Sequence, residues 1–412
     1  MEGMVFDNLL RLLEPCLPEE FFASSWGRSY KHVAGWPGKF SHLLPWDRLN
    51  RILREHRLDF PRLRLVRDGQ SLPSNAYLRH ATSGRRRTQI PRLLPVQLTE
   101  QLRQGATLVL DAVDELYQPL DQLAETLERS VREHVQINAY AGWRTSRGFD
   151  LHWDDHDVFI LQVTGRKRWS VYGMTRPYPL ARDIEPNRKP THEPLWDAIL
   201  EDGDLLYIPR GWWHVAFPLD EPTLHLTVGI HNRTGLDLLK WLADRLRSSE
   251  NFRMDLPRFA SLAERAAHVE RLRGELLAEW DAVDLLERYE HDTDGRAEAR
   301  ARFSLPWSAR REVLPDSNSA RVRLTAPRPL DLKVLAGEQE KGVIEFVCLG
   351  KRWRFAGEAI VVLGPLARGG ALSIDELCGA AQDTLDERTV RTFLAELIRH
   401  GLVALADEDR QV

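Results

Sequence analysis

Between about residue 60 and residue 235 the chain is written as short apolar or alternating runs, closed by glycine, proline or aspartate. Arg62-Leu-Arg-Leu-Val66 alternates with period two, and Ala106–Leu110 and Val158–Val163 are compact apolar runs. Val135–Tyr140, Lys167–Tyr172, Asp204–Ile208 and Thr223–Ile230 continue the series, with turn signals at Asp202-Gly203 and Pro209-Arg-Gly211. Many short strands at this spacing predict a sandwich or barrel. One helical stretch interrupts them, opening at Pro119 and carrying Leu120, Leu123, Leu127 and Val131.

His152-Trp153-Asp154 lies within this region. Residues i and i+2 of a strand project to one side, roughly 6.6–6.8 Å apart along the chain, so an imidazole and a carboxylate can converge on one ion. His214, after the turn that follows Asp204–Ile208, stands where a barrel would return a second histidine. Two histidines and one carboxylate with open positions left over is the donor set of non-haem Fe(II) oxygenases. His225 is the best rival third ligand and His192 a weaker one. His156 shares the His152 side but lies roughly 13 Å away along a strand, and Asp155 points to the opposite side.

A cosubstrate needs its own anchor. In Gly165-Arg-Lys-Arg-Trp169, Lys167 can reach inward toward a dicarboxylate, with Arg166 and Arg168 turned outward. The plainer reading makes all three solvated residues beside a hairpin. On Val135–Tyr140 the polar Gln136, Asn138 and Tyr140 share one face, which we read as lining a polar cavity.

Residues 1–235 thus form a catalytic barrel with an N-terminal extension. Residues 236–319 are a helical region and linker, with Leu272, Leu276, Leu277 and Trp280 at helical spacing up to about Tyr289, and a polar linker over 290–320. Residues 320–412 form a small α+β domain, with strands near Gly342–Val347 and Ala359–Leu363 followed by two helices. Ser373-x-x-Glu376 marks the start of the first helix, and the second, Glu387–His400, ends at Gly401. The 412 residues carry a net charge of −4, which argues against coating nucleic acid. No apolar run is long enough to span a membrane and no secretory signal is visible. Cys16, Cys348 and Cys378 are too scattered for a disulfide framework, so the expected location is the cytoplasm.

Gly105–Leu110, Asn138-Ala-Tyr140, His152–Trp169 and Gly203–His214 together resemble the JmjC-type ribosomal oxygenases, a branch of the cupin-fold Fe(II)/2-oxoglutarate hydroxylases. The resemblance spans nearly the whole chain. It implies a mainly β fold with α: a double-stranded β-helix, then a helical dimerisation region, then a C-terminal winged helix. It implies iron ligands at His152, Asp154 and His214, a 2-oxoglutarate contact at Lys167, and Asn138 and Tyr140 lining the pocket. Fe(II), 2-oxoglutarate and O₂ are the implied cofactors, and a homodimer acting on a protein or peptide is the implied assembly. Two departures stand out. Some members place a substrate-contacting serine where this chain has Gly229, and Trp143, Trp153, Trp212 and Trp213 are expected to crowd the site.

Two other readings follow from the same residues. One keeps the enzyme but gives it a biosynthetic peptide or free amino acid. The other is a non-catalytic cupin-fold regulator binding nucleic acid through its winged helix. Against the second, Glu387, Arg388, Arg391, Glu396 and Arg399 mix charges on the last helix, where a groove-reading helix is basic. Arg85-Arg-Arg87 is the better electrostatic candidate for an acidic substrate or RNA.

Overall fold

In the computed structural model, residues 9–83, 88–180, 183, 188–310, 314–335 and 342–406 are described; Arg85–Arg87 lie outside them. The chain divides into two compact units, Met1–Asn232 and Arg233–Val412.

The first unit is built on β1 (Lys31–Val33), β2 (Leu63–Arg67), β3 (Gln70–Ser71), β4 (Leu78–Ser83), β5 (Thr88–Leu93), β6 (Thr107–Leu110) and β7 (His134–Gly142). It continues through β8 (Asp157–Thr164), β9 (Lys167–Met174), β10 (Trp196–Leu200), β11 (Leu205–Ile208), β12 (Trp212–Pro218) and β13 (Thr223–His231). Eight strands form one antiparallel sheet in the order β1-β11-β8-β13-β7-β6-β2-β3, and β10-β9-β12 form a second; β4 and β5 pair apart as a hairpin. This is the mixed, largely antiparallel architecture of a cupin-type jelly roll.

Alternation on β8 explains why the two sheets close. Val158 and Ile160 pack with Trp169, Val171, Leu200, Leu206 and Ile208 between the sheets. Phe159, Leu161 and Val163 point the other way, into a core shared with the helical layer. That layer consists of α1 (Leu9–Leu13), α2 (Pro18–Ser24), α3 (Trp46–Glu55), α4 (Pro95–Arg103) and α5 (Gln118–Val131). Helix α5 buries Leu120, Leu123, Ala124 and Leu127, a stripe of helical period opened by Pro119 in its first turn. The large sheet is therefore covered outside by helices and inside by the small sheet. Its strand β7 sends Val135, Ile137, Ala139 and Ala141 to the helices and leaves Gln136, Asn138 and Tyr140 facing inward.

The second unit opens with α6 (Gly235–Leu246), α7 (Glu250–Arg253), α8 (Leu262–Trp280) and α9 (Leu285–Arg296). Strands β14 (Arg321–Leu324), β15 (Lys333–Leu335), β16 (Val343–Cys348), β17 (Lys351–Ala356), β18 (Leu372–Ser373) and β19 (Val403–Leu405) make two small sheets, ordered β18-β14-β19 and β15-β16-β17. Helices α10 (Ile360–Ala367), α11 (Ile374–Ala381) and α12 (Glu387–Arg399) complete its core with Val362, Leu366, Leu377, Val390 and Leu394. Ser373 and Glu376 form the expected reciprocal cap on α11.

Two sequence expectations are corrected here. Ala359–Leu363 is not a strand: Val362, Leu363 and Leu366 are the buried residues of α10, and one helical stripe absorbs the β-branched run. The expected linker also begins later, because α9 runs to Arg296, where Gly295 fits closely against Val347 of β16.

Gly203 shows how tightly the N-terminal segment seats on the barrel. Its φ is +90°, and a Cβ there would stand 1.9 Å from the Trp36 carbonyl oxygen. Asp204 beside it accepts hydrogen bonds from the Gly35 amide at 2.9 Å and faces His32 Nε2 at 3.1 Å. Gly203→Ala is expected to destabilise the protein by more than about 2 kcal/mol, read as a fall in thermal midpoint; an unchanged midpoint would contradict this seating.

Candidate metal centre

The two histidines meet through the backbone before their side chains meet. The His214 amide donates to the His152 carbonyl at 2.8 Å, and the His152 amide returns the bond at 3.2 Å. This is an isolated antiparallel bridge between the 150–156 loop and β12. The strand geometry expected for His152-Trp-Asp154 is therefore corrected: only the bridge residue is extended-paired, and β8 begins at Asp157. The Gly211 amide donates to the Asp154 carbonyl at 2.9 Å and holds the loop's next turn. Asp157 anchors the far side, accepting from Tyr207 Oη at 2.6 Å and the Arg210 amide at 2.8 Å.

Each imidazole is oriented in the same way. Nδ1 of His152 lies 2.8 Å from the Asp150 carbonyl, and Nδ1 of His214 lies 3.0 Å from the Trp212 carbonyl. A carbonyl only accepts, so Nδ1 carries the hydrogen and Nε2 keeps its lone pair in the neutral ring. Those Nε2 atoms face Asp154, at 3.8 Å from Oδ1 for His152 and 3.5 Å from Oδ2 for His214. One donor atom from each of the three residues lies within 4.8 Å of the others. Nitrogen and oxygen donors at this separation can share a single divalent ion. Burial, then the nearby His152 ring, hold His214 down at about 4. Burial alone would raise the Asp154 carboxyl, but the imidazoles of His214, His152 and His156 outweigh it and keep it below the usual carboxylate range.

The triad opens into a cavity of about 240 Å³ that also meets Asn138, Tyr140, Lys167, Trp169 and His225. Lys167 is fully enclosed; burial pushes its ammonium down to about 7. Among the described residues no carboxylate lies within ion-pair reach of it, and its Nζ stands 5.7 Å from the centre of the Trp169 ring. Arg166 and Arg168 are exposed and paired instead, with Glu221 at 3.1 Å and Asp197 at 2.6 Å. Asn138 Oδ1 accepts from the Ala112 amide at 2.9 Å and from Gln136 Nε2 at 3.0 Å. Burial and the Asp154 and Asp111 charges raise the Tyr140 phenol, which stays a neutral hydroxyl.

The rivals sort themselves by position. His225 lines the cavity but stacks on Tyr140 at 4.9 Å, outside the three-residue group. His192 sits beside Tyr172, away from the cavity. His156 reaches the cavity and packs on His231 at 4.6 Å. The crowd of tryptophans is corrected: Trp143 packs on Trp46, Trp212 on Tyr30, Trp213 bonds Thr175, and none of these, nor Trp153, lines the cavity, whose aromatic lining is Tyr140, Phe149 and Trp169. Sequence reading missed Arg64, which lines the cavity while paired to Asp111 at 2.8 Å, because nothing in β2 distinguishes it from a surface arginine.

Residues 112–238 match the family described as the JmjC domain. Over 231 residues the chain is 28% identical to the bifunctional lysine-specific demethylase and histidyl-hydroxylase NO66 of Drosophila pseudoobscura pseudoobscura, covering 55% of this chain and 23% of that protein. Over 264 residues it is 32% identical to ribosomal oxygenase 1 of Bos taurus, covering 60% of this chain and 37% of the relative. It thus spans well under half the length of these curated relatives. The crystal structure of the Escherichia coli ribosomal oxygenase YcfD superposes with a TM-score of 0.57 at 19% identity, over 95% of this chain and 98% of that one. At this identity the likeness is one of fold.

His214→Ala is expected to weaken Co(II) uptake by at least about 10²-fold, measured by calorimetry, with little change in the thermal midpoint of the metal-free protein. Because the folded-state pKa of His214 is depressed from 6.5 to about 4, the unfolded chain takes up a proton in that window that the folded chain refuses. Metal-free stability should therefore fall as pH drops from 6.5 toward 4, and His214→Ala should flatten that slope. Wild-type Co(II) affinity in the variant would remove His214 from the site.

Proposed function

For this chain, whose residues 112–238 match the JmjC domain family, we propose membership of the JmjC-type ribosomal oxygenases and an Fe(II)- and 2-oxoglutarate-dependent dioxygenase activity that hydroxylates a C–H bond of an amino-acid side chain in a protein or peptide. A ribosomal protein is the substrate class suggested by relatives named ribosomal oxygenase 1. The observation that carries the reading is a buried cation, Lys167, with no counter-ion among the described residues, in one cavity with a His-Asp-His group whose Nε2 and carboxylate donors face one another.

His152, Asp154 and His214 would hold the metal. When bound, Fe(II) with 2-oxoglutarate and O₂ supplies the oxidation, releasing succinate and CO₂ and giving one oxygen atom to the substrate C–H bond. The protein's own work is positioning and water exclusion. The two Nδ1–H···O=C bonds fix both imidazoles, and Lys167 offers its charge to the dicarboxylate's far end. Asn138 and Tyr140 present neutral polar groups on the same wall. A structure of YcfD in complex with cobalt and 2-oxoglutarate supports the choice of cosubstrate for this fold.

The finer assignments belong to the same proposal. The helical region is read as a homodimerisation surface: across the 19 residues of α8 only His268 is buried, while Leu262 is 83% exposed, Val269 60% and Trp280 46%. A twofold mate gives such a face a self-complementary cover. Residues 320–412 are read as a winged-helix-like body that serves substrate recognition and not DNA reading. On α12, Arg391 is committed to Asn318 and the Pro315 carbonyl and Arg399 to Glu396, leaving little free positive charge. Among the described residues no helix is long and apolar enough to cross a membrane.

The Fe(II)-loaded protein should convert 2-oxoglutarate to succinate, and Asp154→Ala should abolish turnover; undiminished turnover in the variant would sink the assignment. Lys167→Ala should weaken 2-oxoglutarate by about 10²-fold or more while leaving Co(II) affinity alone. Since a carboxylate partner restores the lysine charge from about 7, 2-oxoglutarate binding at pH 8 should take up protons, measurable by calorimetry in buffers of different ionisation enthalpy. Light scattering should return twice 47.5 kDa at micromolar concentration, and a monomer would overturn the twofold cover.

A further inference from the structure

The inner wall of the barrel leaves one imidazole with nothing to bind. His225 is 2% exposed, and its Nδ1 has no hydrogen-bond partner among the described residues. It sits on β13 between two rings: stacked on Tyr140 with planes 5° apart at 4.9 Å, and edge-on to Trp169 at 5.5 Å. The Lys167 ammonium lies 5.7 Å from the centre of that same Trp169 ring, so the indole is flanked by both groups. Trp169 Nε1 is itself buried without a partner. All three side chains line the cavity that the triad opens into.

An unpaired buried nitrogen is costly, and here it costs more beside a cation. Burial and the Lys167 charge hold the ring well below its ordinary value, so it is a neutral imidazole. A neutral ring offers one N–H donor and one lone pair. With the ammonium all donor and the indole N–H donor only, the unmatched groups around Trp169 call for an acceptor carrying negative charge. A carboxylate fits, since its two oxygens can take a lysine and an imidazole N–H together.

Resting on the proposed 2-oxoglutarate reading, we propose that His225 is a second binding residue for the dicarboxylate, donating from Nδ1 to the same distal carboxylate that Lys167 pairs with. Tyr140 and Trp169 clamp the ring so that this donor is set before the ligand arrives. His225 is then a specificity device: it rewards a 2-oxo acid that ends in a carboxylate over one that ends in a methyl group.

The test uses the full-length Co(II)-loaded protein, titrated calorimetrically with 2-oxoglutarate and with 2-oxopentanoate, which has the same chain without the distal carboxylate. His225→Phe keeps an aromatic ring between Tyr140 and Trp169 and removes the donor. The expected result is a loss of about tenfold or more in 2-oxoglutarate affinity, 2-oxopentanoate affinity within about twofold, and an unchanged Co(II) absorption spectrum. His225→Asn, which restores an N–H donor, should recover part of the loss. Unchanged 2-oxoglutarate affinity in His225→Phe overturns the inference, as do equal losses for both oxo acids, which would make His225 a packing residue. If the wild-type protein binds Co(II) but not 2-oxoglutarate, the proposed function fails and this inference falls with it.

Discussion

The first unit of this chain depends on a two-residue backbone bridge. His152 and His214 exchange both of their peptide hydrogen bonds, and that exchange, not a continuous strand, brings residues 62 positions apart in sequence to one point. Once the bridge forms, each Nδ1 finds a carbonyl two residues upstream in its own chain. Both rings are thereby aimed by main-chain acceptors. Asp154 follows because Gly211, in the turn that leads into β12, holds its carbonyl. A donor set fixed by main-chain bonds loses little freedom when an ion arrives, which is the pre-organisation a metal site needs.

The sheet behind that bridge explains why the cavity is polar. β7, β8 and β13 are covered on their outer face by the helical layer, where Val135, Ile137, Phe159, Leu161, Leu226 and Val228 meet. That core frees the inner face from any duty to be apolar. Toward one end it is filled by Val158, Ile160 and Leu206 against the small sheet. Elsewhere it carries Asn138, Tyr140 and His225, which share the cavity with Lys167 of β9. Enclosing Lys167 with no carboxylate in reach among the described residues is unfavourable on its own, so the packing around it must offset that cost.

Much of this was legible in the chain. The alternation of Gln136, Asn138 and Tyr140 with Val135, Ile137 and Ala139 marks a strand with one polar face, and the structure turns that face inward. The residues His152, Asp154 and His214 were also legible, but not the reason they meet. A period-two argument assumes a strand, and here a loop pinned at a single bridge does the same work. Three kinds of feature escaped. The β-branched Ile360-Val-Val362 run reads as a strand locally, and only its buried partners make it helical. The tryptophans near the ligands in sequence pack away from the cavity, Trp143 on Trp46 and Trp212 within the core between the sheets. His225 looked like a spare ligand because one histidine on a strand carries no sign of what its ring will stack on.

Gly229 shows where resemblance stops and local packing decides. The strand faces the cavity side at this point, yet a Cβ there would lie 2.8 Å from His156 Cδ2 and 2.9 Å from its Nε2. The ring is held there by His231 at 4.6 Å and by Asp155, 3.0 Å from its Nδ1. A serine at this position would have to displace the imidazole before its side chain could fit. The glycine and the histidine are therefore one feature: the strand gives up its side chain, and the loop before β8 supplies an aromatic, hydrogen-bonding group in its place. The exchange is confined to β13 and the loop before β8, so the His152–His214 bridge and Lys167 on β9 are untouched by it.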